Sequence, residues 1–166
     1  MDQSSPLTAL SGLLDATVST LERLAVASDD GVIALTSTLA VGMDRRYLVL
    51  SYSQQGLRVL PLASRDDLRW DGELEEGERL ELVPLEAGAE VPELPLRVER
   101  IEGWVGYGRY DDVLAFALSG PDGQLVVATT SDDLLCTSVE DASADAELTA
   151  RHSGLTLRRE HLTSPA

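Results

Sequence analysis

The feature that most constrains the fold is a series of short apolar stretches joined by short turns. Apolar and polar side chains alternate in many stretches between residues 32 and 139, which is typical of half-buried strands. A Gly-Pro-Asp-Gly sequence at 120–123 and a Gln-Gln-Gly sequence at 54–56 indicate hairpin turns. Parallel strands need long crossover connections, which are absent between these stretches. The sequence therefore predicts a mainly antiparallel sheet.

Two helices are predicted to flank this sheet. Leucine, valine and alanine recur at three- and four-residue steps over residues 6–27, with Ser5 as a cap and Pro6 in the first turn. A second, short helix is expected over 143–152, ending at Gly154. Strands are expected at 32–41, 47–53, 57–62, 79–85, 96–105 with an interruption near Gly103, 113–118, 124–130 and 134–139, and one helical turn at 64–70.

The predicted fold class is α+β. Residues 1–166 are expected to form a single acidic, strand-rich domain, since one domain is the default at this length. Its centre would be a strongly curved antiparallel sheet or partial barrel of about seven to eight strands over 32–139. The N-terminal helix would pack on this sheet, and residues 143–162 would form a C-terminal tail of helix and strand.

Charge is the main indication of function. The chain has 29 acidic and 13 basic residues, a formal net charge of −16 at pH 7, and every basic residue is an arginine. Such a protein repels polyanions, so nucleic acid and anionic membrane surfaces are poor partners, whereas basic proteins are better ones. GC-rich coding or general adaptation to salt would also explain this composition.

The acidic residues are concentrated in one region. Residues 71–99 hold ten acids and two arginines, a local net charge of −8, whereas 45–70 carries +3 and 151–166 carries +2. Such asymmetry favours an electrostatically steered partner or self-association of opposite patches, although a solvated loop would also show it. We predict a partner-binding surface formed by five glutamates: Glu73, Glu75, Glu76, Glu78 and Glu81.

A second candidate site is the segment 103–112, which holds three of the seven aromatic residues and three glycines. Glycine permits close approach of a ligand, and Trp and Tyr are favoured at binding surfaces. A glycine-bulged strand whose aromatics cover one end of the core is the structural alternative. As a pocket, the segment would use Arg109 to hold an anionic ligand, and its residues would be Trp104, Tyr107, Arg109, Tyr110, Asp111 and Asp112.

The sequence predicts no catalytic centre, cofactor or metal site. Cys136 is the only cysteine and lies in an apolar stretch, where a thiol usually behaves as a small buried hydrophobe. His152 falls near a predicted helix end, and no Cys or His pair has the spacing of zinc ligands. A single cysteine, the lack of a signal peptide and the lack of a long apolar run favour the cytoplasm rather than secretion or membrane insertion.

Three hypotheses about function follow. The first is a non-enzymatic binding protein, such as an inhibitor, an immunity-type factor, a chaperone or a regulatory subunit, that docks a basic protein partner. The second is a small-ligand-binding sheet domain or enzyme with its pocket at 103–112. The third is a structural or assembly protein that self-associates into a homo-oligomer through unpaired sheet edges or the N-terminal helix.

Overall fold

The computed structural model describes residues 5–53, 56–62, 74–85, 90–129 and 133–163, of which 55% lie in strands and 17% in helices. The helices are a 3-10 helix, Pro6–Leu13, and an α-helix, α1, at Val139–Ser153. The strands are β1 (Thr17–Val18), β2 (Thr20–Ser28), β3 (Gly31–Ala34), β4 (Thr38–Gly42), β5 (Tyr47–Ser53), β6 (Gly56–Leu62), β7 (Arg79–Pro84), β8 (Leu96–Arg97), β9 (Arg100–Tyr107), β10 (Asp112–Gly120), β11 (Gly123–Ala128), β12 (Leu135–Thr137) and β13 (Thr156–Thr163).

The described strands form three antiparallel sheets, none of which closes into a barrel. The first sheet has the order β3-β2-β4-β5-β6, with β7 also paired to β2, and the second has the order β12-β11-β10-β9-β13. A small third sheet pairs β1 with β8. The antiparallel pairing agrees with the short connections, but the predicted α+β class with one curved sheet or partial barrel is wrong. Helices make up only 17% of the described residues, so this part of the chain is mostly β. Its strands are divided between two large sheets and one small sheet instead of forming one curved sheet.

The two large sheets enclose one apolar core. Side chains of β4 and β5 meet those of β9, β10 and β11 there, and both Leu50 and Phe116 are fully buried. The 3-10 helix adds Leu7, Leu10 and Leu13, which are also fully buried. A 3-10 helix has three residues per turn, so this spacing places all three leucines on one face. The N-terminal segment is therefore part of the core.

The predicted N-terminal helix over 6–27 is wrong, because the helical segment is a 3-10 helix of only eight residues. Asp15 then adopts a φ of 63°, a left-handed conformation that interrupts a right-handed helix. The β-branched residues Thr17, Val18 and Thr20 that follow favour strands. The central part of β2 is buried on both faces, so its apolar residues do not alternate cleanly and resemble helical steps.

Helix α1 covers the outer face of the second sheet. Its N-terminus is capped by Ser138, whose hydroxyl accepts the N–H of Asp141 at 3.1 Å, and Gly154 ends it with a φ of 67°. The helix predicted over 143–152 is thus present, although it begins earlier, at Val139. Neither helix in the described ranges is long and apolar enough to cross a membrane. α1 packs on the sheet through three alanines: Ala142, Ala146 and Ala150.

A buried arginine connects the first sheet to the chain that enters the second. The strand predicted at 32–41 is broken between β3 and β4, and the side chain of Arg23, 2% exposed, lies against this break. Its guanidinium donates to the carbonyl oxygens of Thr36 at 3.0 Å and Thr38 at 2.8 Å. It also donates to the carbonyl oxygen of Leu134 at 2.9 Å. Arg23 therefore supplies a donor to two carbonyl groups at the break in the strand and to one on the chain that leads into β12.

Several other predicted elements are present with altered limits. The turn at 120–123 joins β10 to β11, and three predicted strands correspond to β5, β6 and β7. The strand predicted at 96–105 is divided into β8 and β9, but the break precedes Arg100 and does not occur at Gly103. Gly103 instead lets the 3-10 helix approach, since a Cβ there would lie 2.6 Å from a methyl group of Leu7. The helical turn predicted at 64–70 falls outside the described residues.

Candidate functional site

Part of the predicted acidic surface is a tight turn before β7 at residues 75–78, here called the acidic turn. The main-chain N–H of Glu78 donates to the carbonyl oxygen of Glu75 at 3.0 Å, and the Glu78 carboxylate accepts the N–H of Glu75 at 2.6 Å. Gly77 adopts a φ of 86°, which glycine tolerates better than other residues. Glu75 and Glu76 are exposed. The turn therefore presents carboxylates to solvent from a defined backbone.

The acidic turn leads into β7, which carries the next predicted acidic residue. The Glu81 carboxylate lies 2.8 Å from the Arg79 guanidinium in an ion pair. Within the described residues, β7 pairs only with β2, and no arginine lies within ion-pair distance of the glutamates of the acidic turn. Glu73 lies outside the described residues. The described part of the predicted surface is therefore an edge strand with uncompensated negative charge beside it.

A groove of about 420 Å³ lies at the start of β10, between the 3-10 helix and β6. It contains two residues of the predicted aromatic pocket, Asp111 and Asp112. Carboxylates and hydroxyls accept hydrogen bonds from cationic groups, so the lining suits an ammonium or guanidinium group better than an anion. The side chains and backbone that shape the groove include Ser5, Thr8, Gly56, Leu57, Asp111 and Asp112.

Asp112 is the buried carboxylate of this groove and is 6% exposed. It accepts a hydrogen bond from the Tyr52 hydroxyl and from the main-chain N–H groups of Leu57 and Val113. Burial raises the pKa of Asp112 above its ordinary value of 3.8, and these three hydrogen bonds oppose that increase. Gly56 makes room for the carboxylate, because a Cβ there would lie 3.2 Å from Oδ1 of Asp112. Asp112 thus joins the second sheet to the first.

A second carboxylate lies near the groove on β13. Glu160 accepts hydrogen bonds from the Tyr107 hydroxyl and from the hydroxyl of Ser5, a groove residue. Burial raises the pKa of Tyr107 above its ordinary value of 10.0, and the hydrogen bond to Glu160 raises it further. The guanidinium of Arg158 lies 5.3 Å from the centre of the Tyr107 ring, within the range of a cation–π contact. Tyr107 therefore acts as a neutral donor to Glu160, and this carboxylate links β9 and β13 to Ser5 at the start of the 3-10 helix.

The predicted aromatic pocket at 103–112 is not assembled as one site. Trp104 is 1% exposed and packs beneath α1. Tyr107 lies on the opposite face of the second sheet, because side chains of successive strand residues alternate between faces. Arg109 and Tyr110 are exposed and do not line the groove, so the predicted contact of Arg109 with a ligand beside Asp112 is not present.

Little in the sequence indicates which residues accompany Asp112. Tyr52 and Glu160 are both far from Asp112 in the chain. Tyr52 meets Asp112 only because the two sheets pack together, whereas Glu160 lies on β13 of the same sheet as Asp112, with β9 between β13 and β10. Gly56 had a local signal, because it falls in a predicted turn, but a turn glycine does not reveal which carboxylate it faces. Ser5 had a signal as a helix cap, which it fulfils by accepting the N–H of Leu7 at 3.2 Å.

The described residues show no metal-binding group of three or more His, Cys, Asp or Glu side chains. Cys136 is half buried in β12, and His152 is exposed in the last turn of α1. No family model, curated protein or solved structure matches the chain. Its function must therefore be inferred from its own charge, edges and grooves.

Proposed function

We propose that the protein is a non-enzymatic binding protein that docks a basic protein partner through the acidic turn and β7. The main observation that supports this proposal is the clustering of glutamates in the acidic turn. Three of the residues 75–78 that form the acidic turn are glutamates. The described part of the chain places no arginine within ion-pair distance of them. Carboxylates on neighbouring residues of a turn repel one another, and a cationic partner reduces that repulsion. A basic protein surface is therefore the chemistry that this region favours.

The charge of the whole chain supports the same class of partner. A net charge of −16 attracts basic proteins over distances comparable with the Debye length and increases their association rate. The arginines of β13 are already engaged, since Arg158 contacts Tyr107, and Arg159 contacts Trp104 and the Glu102 carboxylate. These contacts and the net negative charge favour an external basic protein over a second copy of the chain.

The groove beside Asp112 supports a binding function for a small cationic ligand less well. Its volume is sufficient for a small molecule. However, Asp112 already accepts three hydrogen bonds from the protein, which leaves it less capacity to bind a ligand. Asp111 is exposed, where a single carboxylate contributes little binding free energy.

The test is affinity capture from an extract of the cells that make the protein, at low and high salt. The baits are the wild type and the triple variant Glu75→Gln, Glu76→Gln, Glu78→Gln. We expect the wild type to retain basic proteins at low salt and to release them at high salt, because screening weakens attraction between exposed charges. The triple variant should retain much less of the same proteins.

A matched control distinguishes the effect of the acidic turn on capture from the effect of the net charge. It loses the same number of charges at exposed positions that are scattered over the surface: Asp44→Asn, Glu93→Gln and Glu147→Gln. This control should capture the same proteins as the wild type. Equal capture by all three baits, or capture that does not change with salt, would contradict the proposed function.

A further inference from the structure

We infer that the basic partner presents an extended segment that pairs with β7 as an additional strand of the first sheet. This inference rests on the proposed function and deepens it, because it specifies the conformation and the residue pattern that the protein recognises. Strand addition at a sheet edge obtains affinity from main-chain hydrogen bonds and specificity from alternate side chains.

The hydrogen bonds of β2 show which main-chain groups of β7 point outward. Leu24 donates its N–H to the hydroxyl of Thr38 at 3.0 Å and accepts the N–H of Leu35 at 2.8 Å, so both of its groups face β3 and β4. Alternate residues of a strand direct their groups to opposite sides, so the neighbours of Leu24 bond to β7. Leu82 is aligned with Leu24, and Leu80 lies two residues before it. The N–H and C=O groups of Leu80 and Leu82 therefore point away from β2.

The side chains around this edge specify an alternating pattern. Ile33, Val26 and Leu80 are aligned across β3, β2 and β7, and directly opposed residues share one face of a sheet. Ile33 is 71% exposed, so this apolar row is open to solvent. Glu81 lies on the other face of β7, with its side chain 37% exposed. An added strand would extend the apolar row on one face and place basic residues near Glu81 on the other.

Both ends of β7 limit where such a segment can pair. Pro84 ends the strand and has no N–H to donate, so it cannot extend the ladder as a full pairing residue. The acidic turn precedes the strand and adds negative charge at that end. The occupant is therefore a short extended segment in which apolar and basic residues alternate. Charge complementarity identifies it as part of a basic partner.

The test uses two synthetic peptides of equal charge, one of four Arg-Val repeats and one of four Arg-Pro repeats. When the apolar row is extended, the residues whose N–H groups face β7 are the valines of the first peptide and the prolines of the second, and proline has no N–H to donate. We expect the Arg-Val peptide to bind the wild-type protein about tenfold more tightly, since each net hydrogen bond contributes modestly to affinity. Binding should also slow amide hydrogen exchange at Leu80 and Leu82.

A pair of variants at one position tests the protein's side of the ladder. Leu80→Pro removes an outward N–H together with the leucine side chain, whereas Leu80→Ala removes the side chain and keeps the N–H. We expect Leu80→Pro to bind the Arg-Val peptide about tenfold more weakly than Leu80→Ala. If Leu80→Pro does not fold, which circular dichroism would show, the comparison of the two peptides on the wild type remains decisive.

The outcomes distinguish failure of this inference from failure of the proposed function. Equal binding of both peptides, lost in the triple glutamine variant of the acidic turn, would overturn strand pairing and retain charge-based docking. If neither peptide binds the wild-type protein, both the strand pairing and the proposed function are overturned. Dimers of the protein alone that Leu80→Pro abolishes and Leu80→Ala retains would assign the edge to a second copy and overturn the basic segment as its occupant.

Discussion

The strands β10 and β7 have opposite surroundings. β10 has the core on one face and α1 on the other, and its first seven residues are buried. No residue of β7 is fully buried, and within the described residues this strand pairs with β2 alone. Apolar burial is the main source of folding stability, so the second sheet should contribute most of it. The edge of the first sheet can then vary in sequence at little cost in stability.

Truncation of one apolar side chain in each sheet should give the largest contrast. Phe116→Ala in β10 removes a fully buried ring and should lower the free energy of unfolding by about 3–5 kcal/mol. Ile33→Ala in β3, on the opposite side of β2 from β7, removes a side chain that is 71% exposed and should change this free energy by less than about 0.5 kcal/mol. Urea denaturation followed by circular dichroism measures both. Similar losses for the two variants would show that the apolar row to which Ile33 belongs is buried in solution.

Arg23 should give the next largest effect, because its buried guanidinium connects the first sheet to the chain that enters the second. Arg23→Ala leaves three interior carbonyl groups without this donor and should lower the free energy of unfolding by about 3 kcal/mol. Arg23→Lys keeps the charge but not the planar donor array, so its loss should be intermediate. The same denaturation experiment applies. A loss below about 0.5 kcal/mol for Arg23→Ala would mean that the break in the strand satisfies its carbonyl groups in another way.

The smallest effect should be the contribution of Asp112 to the pH dependence of stability. The buried carboxylate of Asp112 bridges the two large sheets. Burial raises the pKa of Asp112 in the folded state above the ordinary value of 3.8, which applies to the unfolded state. Between 3.8 and the folded-state pKa, the folded state therefore binds more protons than the unfolded state. The stability of the wild type relative to Asp112→Asn should therefore increase as pH falls through the folded pKa. The increase should level off below 3.8.

Denaturation of both proteins at a series of pH values measures this difference, and the comparison cancels the titration of the other acids. Tyr52→Phe serves as a control, because it removes a hydrogen bond that lowers the pKa of Asp112. It should move the same pH dependence to higher pH. A difference between wild type and Asp112→Asn that does not vary with pH would contradict a raised pKa.

The sequence predicted elements whose signals are local. The Gly-Pro-Asp-Gly turn at 120–123 and the strands predicted at 47–53 and 57–62 depend on signals from neighbouring residues, and the turn and both strands are present. The N-terminal segment was predicted incorrectly because three-residue spacing fits a 3-10 helix as well as an α-helix. Furthermore, a strand buried on both faces, as β2 is, loses the alternation that would identify it.

The candidate sites also differ in whether their residues are close together in the sequence. The acidic turn could be located from sequence because its glutamates are close together in the chain. The surroundings of Asp112 could not, because Tyr52 belongs to another sheet and no local pattern links the two residues. For the segment 103–112, strand alternation places Trp104 and Tyr107 on opposite faces, so the aromatic cluster in the sequence does not become a cluster in space.

The position of Trp104 has a spectroscopic consequence. Its ring is enclosed by α1, the Arg159 guanidinium lies 4.1 Å from the ring centre, and its indole N–H has no hydrogen-bond partner in the described structure. Detachment of α1 would admit water to this N–H and shift the fluorescence emission to longer wavelength. Ligands in the groove, on the far side of the sheet, would leave the emission unchanged. With Trp70 replaced by phenylalanine, this single fluorophore becomes a selective reporter of helix docking.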